Sequence, residues 1–310
     1  MSNPRISVVI PAKNEAETIE KCLTAVFSQS YEPHEVIVVD GHSTDCTVEI
    51  AKTFPVKILY EDYRTRAGAC HVGLENSEGE YIAFTDADCI PGEDWLANLF
   101  KKFGGNVVGV GGAVKNIGTG FWSKTISLAY DAFLGGGEIT LAGLFKKEKF
   151  VKTLGGLNSM YRKKDIAKAG GFNVNITGAE DLEISRRVRQ TGKLLYTSQA
   201  IIFHDHRREV KEFARQVYRY AAWRRECGIW HVQELLVLII PLSLITSLPF
   251  TYWVFWGEAI FYFTLLAIMG VKFTAQEKDV RYLFSIPIIY VIEHGSFVIG
   301  FWSNLIKGRG

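Results

Sequence analysis

Cysteine is scarce in this chain: five residues in 310. Cys22, Cys46, Cys70, Cys89 and Cys227 are scattered, odd in number and form no C-x-x-C pair. That spacing argues against a disulfide scaffold and against a zinc motif, and it fits reduced thiols in a cytoplasmic domain. Net charge is missing as well. Lys and Arg total 35 against 33 Asp and Glu, a balance of +2 that gives no reason to expect a nucleic-acid partner. No basic n-region with a long apolar core precedes Ile6-Ser7-Val8-Val9-Ile10, so no signal peptide is expected. Internal repeats and low-complexity tails are absent too.

One long stretch lacks charge almost entirely. From Leu235 to Val271, 37 residues, the only charged residue is Glu258. As a single helix this run would be about 55 Å long, too long for a hydrocarbon core of about 30 Å. Pro241, Ser247 and Pro249 offer a break, so the expectation is two spans, about 233–250 and 252–271. A further apolar block runs from Tyr282 to Ile306 and is read as a third helix, spanning or interfacial. Glu293-His294 interrupts it; ionisable groups at membrane depth are costly and often functional, yet an interfacial helix with both groups in water is the reading favoured. Before the spans, Glu209–Arg225 carries Phe213, Val217, Tyr220 and Trp223 at helical spacing among Arg and Lys, which reads as a basic interfacial helix. Arg207, Arg208, Lys211, Arg215, Arg219, Arg224 and Arg225 precede the first span, none lies in 250–257, and Lys272, Lys278 and Arg281 follow the second. Basic loops stay inside, so the expected location is a multi-pass cell-membrane protein with residues 1–205 in the cytoplasm, an interfacial segment 206–231 and a membrane domain 232–310.

The first half has a different texture. Apolar runs at 6–10, 36–39, 56–60 and 81–84 alternate with helical patterns at 16–28, 44–53 and 67–76. Near-continuous apolar strands with helices between them predict an α/β fold whose mainly parallel sheet is covered on both faces. Further on, strands are expected near 107–114 and 200–203, and helices over 122–133 and 179–190.

Chemistry concentrates at the predicted strand ends. Tyr81-Ile82-Ala83-Phe84 runs into Thr85-Asp86-Ala87-Asp88, placing two hard oxygen ligands where open α/β sheets bind their ligands. Such a pair can hold a divalent cation, and the cation a diphosphate. Asp40, closing the second strand, can accept from a nucleobase N–H or serve only as a turn residue. Glu180-Asp181 opens a predicted helix, whose positive dipole end favours carboxylates. The two acids can form a general base, with the second raising the basicity of the first, or merely cap the helix.

Four signals stand in a fixed order: Val9-Ile10-Pro11-Ala12-Lys13-Asn14-Glu15, Val38-Val39-Asp40-Gly41-His42-Ser43-Thr44-Asp45, the Asp86-Ala87-Asp88 turn, and Gly178-Ala179-Glu180-Asp181-Leu182-Glu183 followed by Arg186-Arg187. Over about residues 5–225 this order resembles the membrane-bound family-two glycosyltransferases of the GT-A (Rossmann-like) fold. Gly155–Arg162 and Gly170-Gly171-Phe172 look like that family's segment before the catalytic acids. The resemblance implies an inverting enzyme that uses a UDP- or GDP-sugar with Mn²⁺ or Mg²⁺. It implies that Pro11, Ala12, Glu15 and Asp40 frame the nucleoside, that Asp86 (with Ala87 between the acids) faces ribose or metal, and that Asp88 binds the metal. Asp181, paired with Glu180, becomes the general base; which of the two takes the proton rests on the resemblance. His204, after a strand-like 200–203, is a third metal or diphosphate contact or a structural imidazole, with Asp205 and His206 facing solvent. Gln216-Val217-Tyr218-Arg219-Tyr220 looks like a variant of the family's Gln-x-x-Arg-Trp motif, with Gln216 and Arg219 near the donor and Tyr220 in place of Trp. Arg66 is a weaker phosphate candidate, and a solvated surface arginine is the favoured reading.

The implied acceptor is a lipid-linked glycan or polyprenyl phosphate at the bilayer, with membrane lipids as neighbours; an oligomer is compatible with the sequence. Three products compete. Polyprenyl-phosphate sugar synthases usually carry Asp-x-Asp-x-Gln, and here Ile90 fills the last position. A processive polysaccharide synthase normally has more spans. Extension of a lipid-linked glycan by one sugar therefore leads. A non-catalytic scaffold on a degenerate fold is disfavoured by intact carboxylates, and nucleotidyl transfer by the lack of a glycine-rich basic N-terminal loop.

Overall fold

Alternation along the first strands builds a sheet with two covered faces. In β1 (Ile6–Ala12), Ile6, Val8, Ile10 and Ala12 enter one apolar layer while Val9 enters the other. The chain then runs through α1 (Ile19–Phe27), β2 (Glu35–Asp40), α2 (Thr47–Ala51), β3 (Lys57–Tyr60), α3 (Arg66–Glu75) and β4 (Tyr81–Phe84). These strands pair in parallel in the order β3-β2-β1-β4. Both faces are apolar, as parallel strands joined by crossover helices require. α1 supplies Ile19, Cys22, Leu23 and Val26 to one layer, and α3 supplies Ala69, Cys70 and Leu74 to the other.

The computed structural model describes residues 4–132, 134, 135, 148–205, 209–227, 243 and 252–306. Beyond β4 come β5 (Cys89–Pro91), α4 (Trp95–Phe100), β6 (Val107–Ile117), α5 (Phe121–Tyr130), β7 (Lys149–Val151), β8 (Ser159–Arg162), α6 (Lys163–Lys168), α7 (Glu180–Val188) and β9 (Lys193–Asp205). Here pairing turns antiparallel, β4 and β6 with β8, and β5 and β7 with β9. The sheet is therefore mixed: the first four strands pair in parallel, and antiparallel pairs enter with β8 and β9. Strand β9 is far longer than the expected 200–203, because its polar middle, Thr197-Ser198-Gln199, still pairs although it breaks the apolar pattern. Buried Asn158 ties this half together: it accepts from Trp95 Nε1 at 2.8 Å and donates to the carbonyls of Ala113 and Ala200 at 2.8 and 3.1 Å.

The chain divides into two compact units, and the division differs from the expected cut at residue 205. The first holds residues up to Lys115 and the segment ending at Asp205; α5 and its flanks belong with the C-terminal helices in the second. The second unit contains α8 (Val210–Cys227), α9 (Tyr252–Glu277) and α10 (Tyr282–Ile306). The α9 and α10 helices are long and apolar enough to cross a membrane, with mean hydropathy 1.8 and 1.6 over their most apolar windows. The span expected at 233–250 lies outside the described residues. Phe213 and Val217, two of the positions read as an interfacial apolar face, pack with Ala221 into an apolar cluster with Ile126 and Ala129 of α5 and Ile286, Ile289 and Tyr290 of α10. The approach is close enough to demand glycine at Gly300, where an added Cβ would stand 2.1 Å from the Tyr218 carbonyl oxygen. Glu293 and His294, expected in water, are both buried in α10.

Candidate active site

Acidic residues gather at the C-terminal edge of the parallel strands. Asp40 ends β2, Glu61 follows β3, and Asp86 and Asp88 follow β4. Asp40 is buried, and both its oxygens are engaged: Ser43 N donates to Oδ2 at 2.9 Å and Ser43 Oγ to Oδ1 at 2.5 Å. The turn role considered for it is therefore present. A carboxylate oxygen carries a second lone pair, so the turn leaves acceptor capacity for a ligand. The loop after β1 is laced onto this turn. Gly41 N donates to Ala12 O at 2.8 Å, Thr44 N to Asn14 Oδ1 at 2.8 Å, and Glu15 N to Thr47 Oγ1 at 2.8 Å. Half-buried Pro11, buried Ala12 and half-buried Glu15, whose Oε2 accepts from Thr18 Oγ1 at 2.8 Å, thus share one rigid rim with Asp40.

Arg66, at the first position of α3, is not the solvated arginine expected from the sequence. Its Nε and Nη2 donate to Asp86 Oδ1 at 2.9 and 2.6 Å, and its Nη1 donates to Glu180 Oε1 at 2.6 Å. A planar guanidinium can serve two carboxylates at once, which an ammonium cannot do with the same geometry. Burial works against the Arg66 charge, but Asp86, then Glu180, outweigh it and hold the group firmly protonated. Burial also pushes the Asp86 carboxyl above its usual range; Arg66 pulls it back and Asp88 adds to the rise. Gly156 makes room for the guanidinium, since a Cβ there would lie 2.6 Å from Arg66 Nη1.

Glu180 and Asp181 open α7 after Ala179, which sits in the left-handed region at φ 58°. Gly156 N donates to Asp181 Oδ2 at 3.1 Å, and Leu182 N to Oδ1 at 2.8 Å. Beside Asp181, the Glu180 carboxylate accepts from Arg66 Nη1 at 2.6 Å, so its charge is met by a guanidinium.

The second carboxylate of the Asp-x-Asp turn meets the imidazole considered with it. His204 Nε2 lies 3.1 Å from Asp88 Oδ2. His204 reaches this point because Cys89 of β5 and His204 of β9 are direct partners in an antiparallel pair, and Asp205 N donates to Asp88 O at 3.0 Å. Ala87 is buried between the acids. Asp88 offers a hard oxygen donor and His204 a nitrogen close to it, groups that suit a divalent cation bound beside a diphosphate, whereas Asp86 Oδ1 is taken by Arg66. Asp205, expected in solvent, is buried; His206 lies outside the described residues. Cys22 and Cys89 flank the turn. Burial pushes both thiols up, and the Asp88 and Asp86 charges add to the effect.

Gln216 and Arg219 fall on α8 of the second unit, Gln216 half-buried and Arg219 exposed, while Tyr220 packs against the apolar cluster there. The sequence reading missed Glu61. It is buried, its N donates to Asp40 O at 3.1 Å, and its Oε2 has no hydrogen-bond partner among the described residues. The signal was available: like Asp40 and Asp86, Glu61 is an acid that follows an apolar run.

Comparison with known proteins identifies the family. The profile of the family described as Glycosyl transferase family 2 matches residues 7–169. The chain is 32% identical over 241 residues to Glycosyltransferase AglE of Haloferax volcanii, spanning 75% of this chain and 76% of that protein. It is 27% identical over 328 residues, 98% of each chain, to a dolichyl N-acetyl-alpha-D-glucosaminyl phosphate 3-beta-D-2,3-diacetamido-2,3-dideoxy-beta-D-glucuronosyltransferase of Methanococcus voltae. Among solved structures it resembles the mannosyltransferase PcManGT from Pyrobaculum calidifontis, determined with GDP-Man and Mn²⁺. The TM-score is 0.61 at 18% identity, covering all of this chain and 89% of that one.

Proposed function

The chain belongs to glycosyl transferase family 2, and on that premise we propose that it transfers one sugar, with inversion, from a nucleotide-diphosphate donor to a lipid-linked glycan at the cytoplasmic face of a membrane. The observation that carries this reading is the arrangement, within one unit, of Asp86, Asp88 and His204 at strand ends with Arg66, Glu180 and Asp181 at the starts of α3 and α7.

Pro11, Ala12, Glu15 and Asp40 would frame the nucleoside on the laced rim. Asp88 and His204, with Asp86, would hold a divalent cation, Mn²⁺ or Mg²⁺. When bound, that cation offsets charge on the departing diphosphate, a Lewis-acid contribution of several kcal/mol. Asp181 accepts the proton of the acceptor hydroxyl as its oxygen attacks the anomeric carbon, and the bond to the diphosphate breaks with the electron pair leaving on the nucleotide. The backbone donors Gly156 N and Leu182 N fix the Asp181 carboxylate at the positive end of α7 before the acceptor arrives. Arg66 bridges Asp86 and Glu180 and holds both carboxylates in place.

The lipid-linked acceptor is supported by two helices long and apolar enough to cross a membrane, and by the activity in the name of the Methanococcus voltae relative.

The test is donor-dependent sugar incorporation into extracted lipids, after a panel of UDP- and GDP-sugars with each metal has identified the donor by thermal shift. Wild type should label a lipid-linked product and Asp181→Asn should not. Full labelling by Asp181→Asn would remove the assignment of the base, and labelling of a soluble polymer in place of a lipid would favour the processive reading.

A further inference from the structure

The cysteine spacing argues against zinc, yet the fold assembles a soft-donor set that spacing cannot reveal. Cys89 and His204 are paired residues of neighbouring antiparallel strands, so their side chains leave the same face of the sheet about 4.5–5.5 Å apart at Cβ. Asp88 adjoins Cys89 in sequence, and its carbonyl is held by Asp205 N. One ligand atom from each of Asp88, Cys89 and His204 can be chosen so that all three lie within 4.8 Å of one another. Cys89 Sγ is 3.7 Å from Asp88 Oδ1, and His204 Nε2 is 3.1 Å from Asp88 Oδ2.

These separations approach the edges of a tetrahedral site. Metal–ligand distances of about 2.3 Å to sulfur, 2.0 Å to nitrogen and 2.1 Å to oxygen give tetrahedral edges of roughly 3.4–3.6 Å. Closing the triangle therefore asks for side-chain shifts of about 1 Å, within reach of small rotamer changes. The backbone need not move, because the strand ladder already sets the positions of all three residues.

We propose that Asp88, Cys89 and His204 form a binding site for a borderline-soft divalent cation, Zn²⁺ by its chemistry, which competes for Asp88 with the oxygen-preferring cation used in transfer. As the metal–sulfur bond forms, the Cys89 S–H proton leaves to solvent, and an open fourth position remains for water or a diphosphate oxygen. Thiolate and imidazole donors favour Zn²⁺ over Mn²⁺ and Mg²⁺, in line with the general order of divalent affinities. The inference deepens the reading of Asp88 as a cation ligand, but its readout does not depend on sugar transfer.

The experiment uses the full chain in detergent, stripped of metal and titrated with Cd²⁺ or Co²⁺ as spectroscopic substitutes. A saturable thiolate-to-metal charge-transfer band at one equivalent is expected; Zn²⁺ should displace it, and Cys22→Ser should keep it while Cys89→Ser loses it. Electron paramagnetic resonance of bound Mn²⁺ should show that Cys89→Ser lowers the Zn²⁺ preference over Mn²⁺ by at least tenfold. No sulfur band in the wild-type protein would overturn the proposal without recourse to any variant. So would a band retained in Cys89→Ser or lost in Cys22→Ser. Mn²⁺-dependent nucleotide binding without a sulfur band would remove this site and leave the proposed transfer reaction standing. A Cys89-dependent band in a protein that binds no Mn²⁺ would do the reverse.

Discussion

The two units handle buried polarity in opposite ways. In the first, charged groups are gathered at strand ends and neutralise one another, with Arg66 shared between Asp86 and Glu180. In the second, polar side chains among apolar helices bond to backbone carbonyls or to each other. Tyr290 of α10 donates to Ala129 O at 3.1 Å, and the His294 ring nitrogens lie 3.0 Å from Tyr262 Oη and 3.1 Å from Leu134 O. With the hydroxyl donating to Nδ1, Nε2–H is left to donate to the carbonyl, so a neutral imidazole satisfies both partners. Ion pairing in this unit is found near the helix ends, where Lys124 meets Glu277 at 2.6 Å and Arg281 lies over the Phe121 ring at 4.5 Å, while Glu293 is buried within α10. The difference teaches that clustered charge marks where chemistry is to be sought, whereas isolated polar groups among apolar helices answer the demand of unsatisfied backbone.

Substitutions can break or sharpen that contrast. Asp181→Asn should have the largest effect, lowering kcat by about 10²–10⁴-fold, the range of general-base catalysis, while nucleotide affinity is retained; stopped-time incorporation assays and nucleotide titration check the two halves of the statement. Arg66→Met should come next. It leaves Asp86 and Glu180 facing each other without a cation, and because the pair is only partly enclosed, the loss of stability should be about 2 kcal/mol, below that of a fully buried pair. Thermal unfolding measures it, and Arg66→Lys should recover only part, since one ammonium cannot reproduce both forks. Glu61→Gln should shift the relative binding of guanine and uracil nucleotides without altering the unfolding midpoint much, as read by calorimetry with GDP and UDP. His294→Leu should be the mildest, about 1 kcal/mol of stability and no change in nucleotide binding, because hydrogen bonds between apolar helices are individually modest. A loss of nucleotide binding in His294→Leu would dissolve the contrast between the units.

Much of the first unit is legible in the chain. Apolar runs ending in an acid mark β2 and β4, and the strand-end rule locates Asp40, Asp86 and Asp88 without any coordinates. The same rule reaches Glu61, although Asp62, Arg64 and Arg66 follow it and give the segment the look of a charged surface loop. Arg66 was misjudged because its partners are 20 and 114 residues away, and no local pattern records a guanidinium bridging two loops. His204 is a metal candidate from the sequence, but its partner Cys89 is not, since a cross-strand pair between positions 115 apart leaves no spacing motif. In the second unit, hydropathy identifies α9 and α10 but does not tell lipid from protein. The apolar stripe of α8, read as membrane-facing, is covered by α5 and α10. Likewise Glu293 and His294 looked destined for water because periodicity says nothing about a carbonyl waiting at Leu134.

The central claim is that the carboxylates beyond β4 hold a nucleotide diphosphate through a divalent cation. Calorimetric titration of the full chain with the donor's nucleoside diphosphate, with and without Mn²⁺, tests it in wild type and in Asp88→Asn. The account predicts binding that requires Mn²⁺ in wild type and falls by at least tenfold in the variant. Equal affinity in the absence of the cation, or in Asp88→Asn, would contradict it.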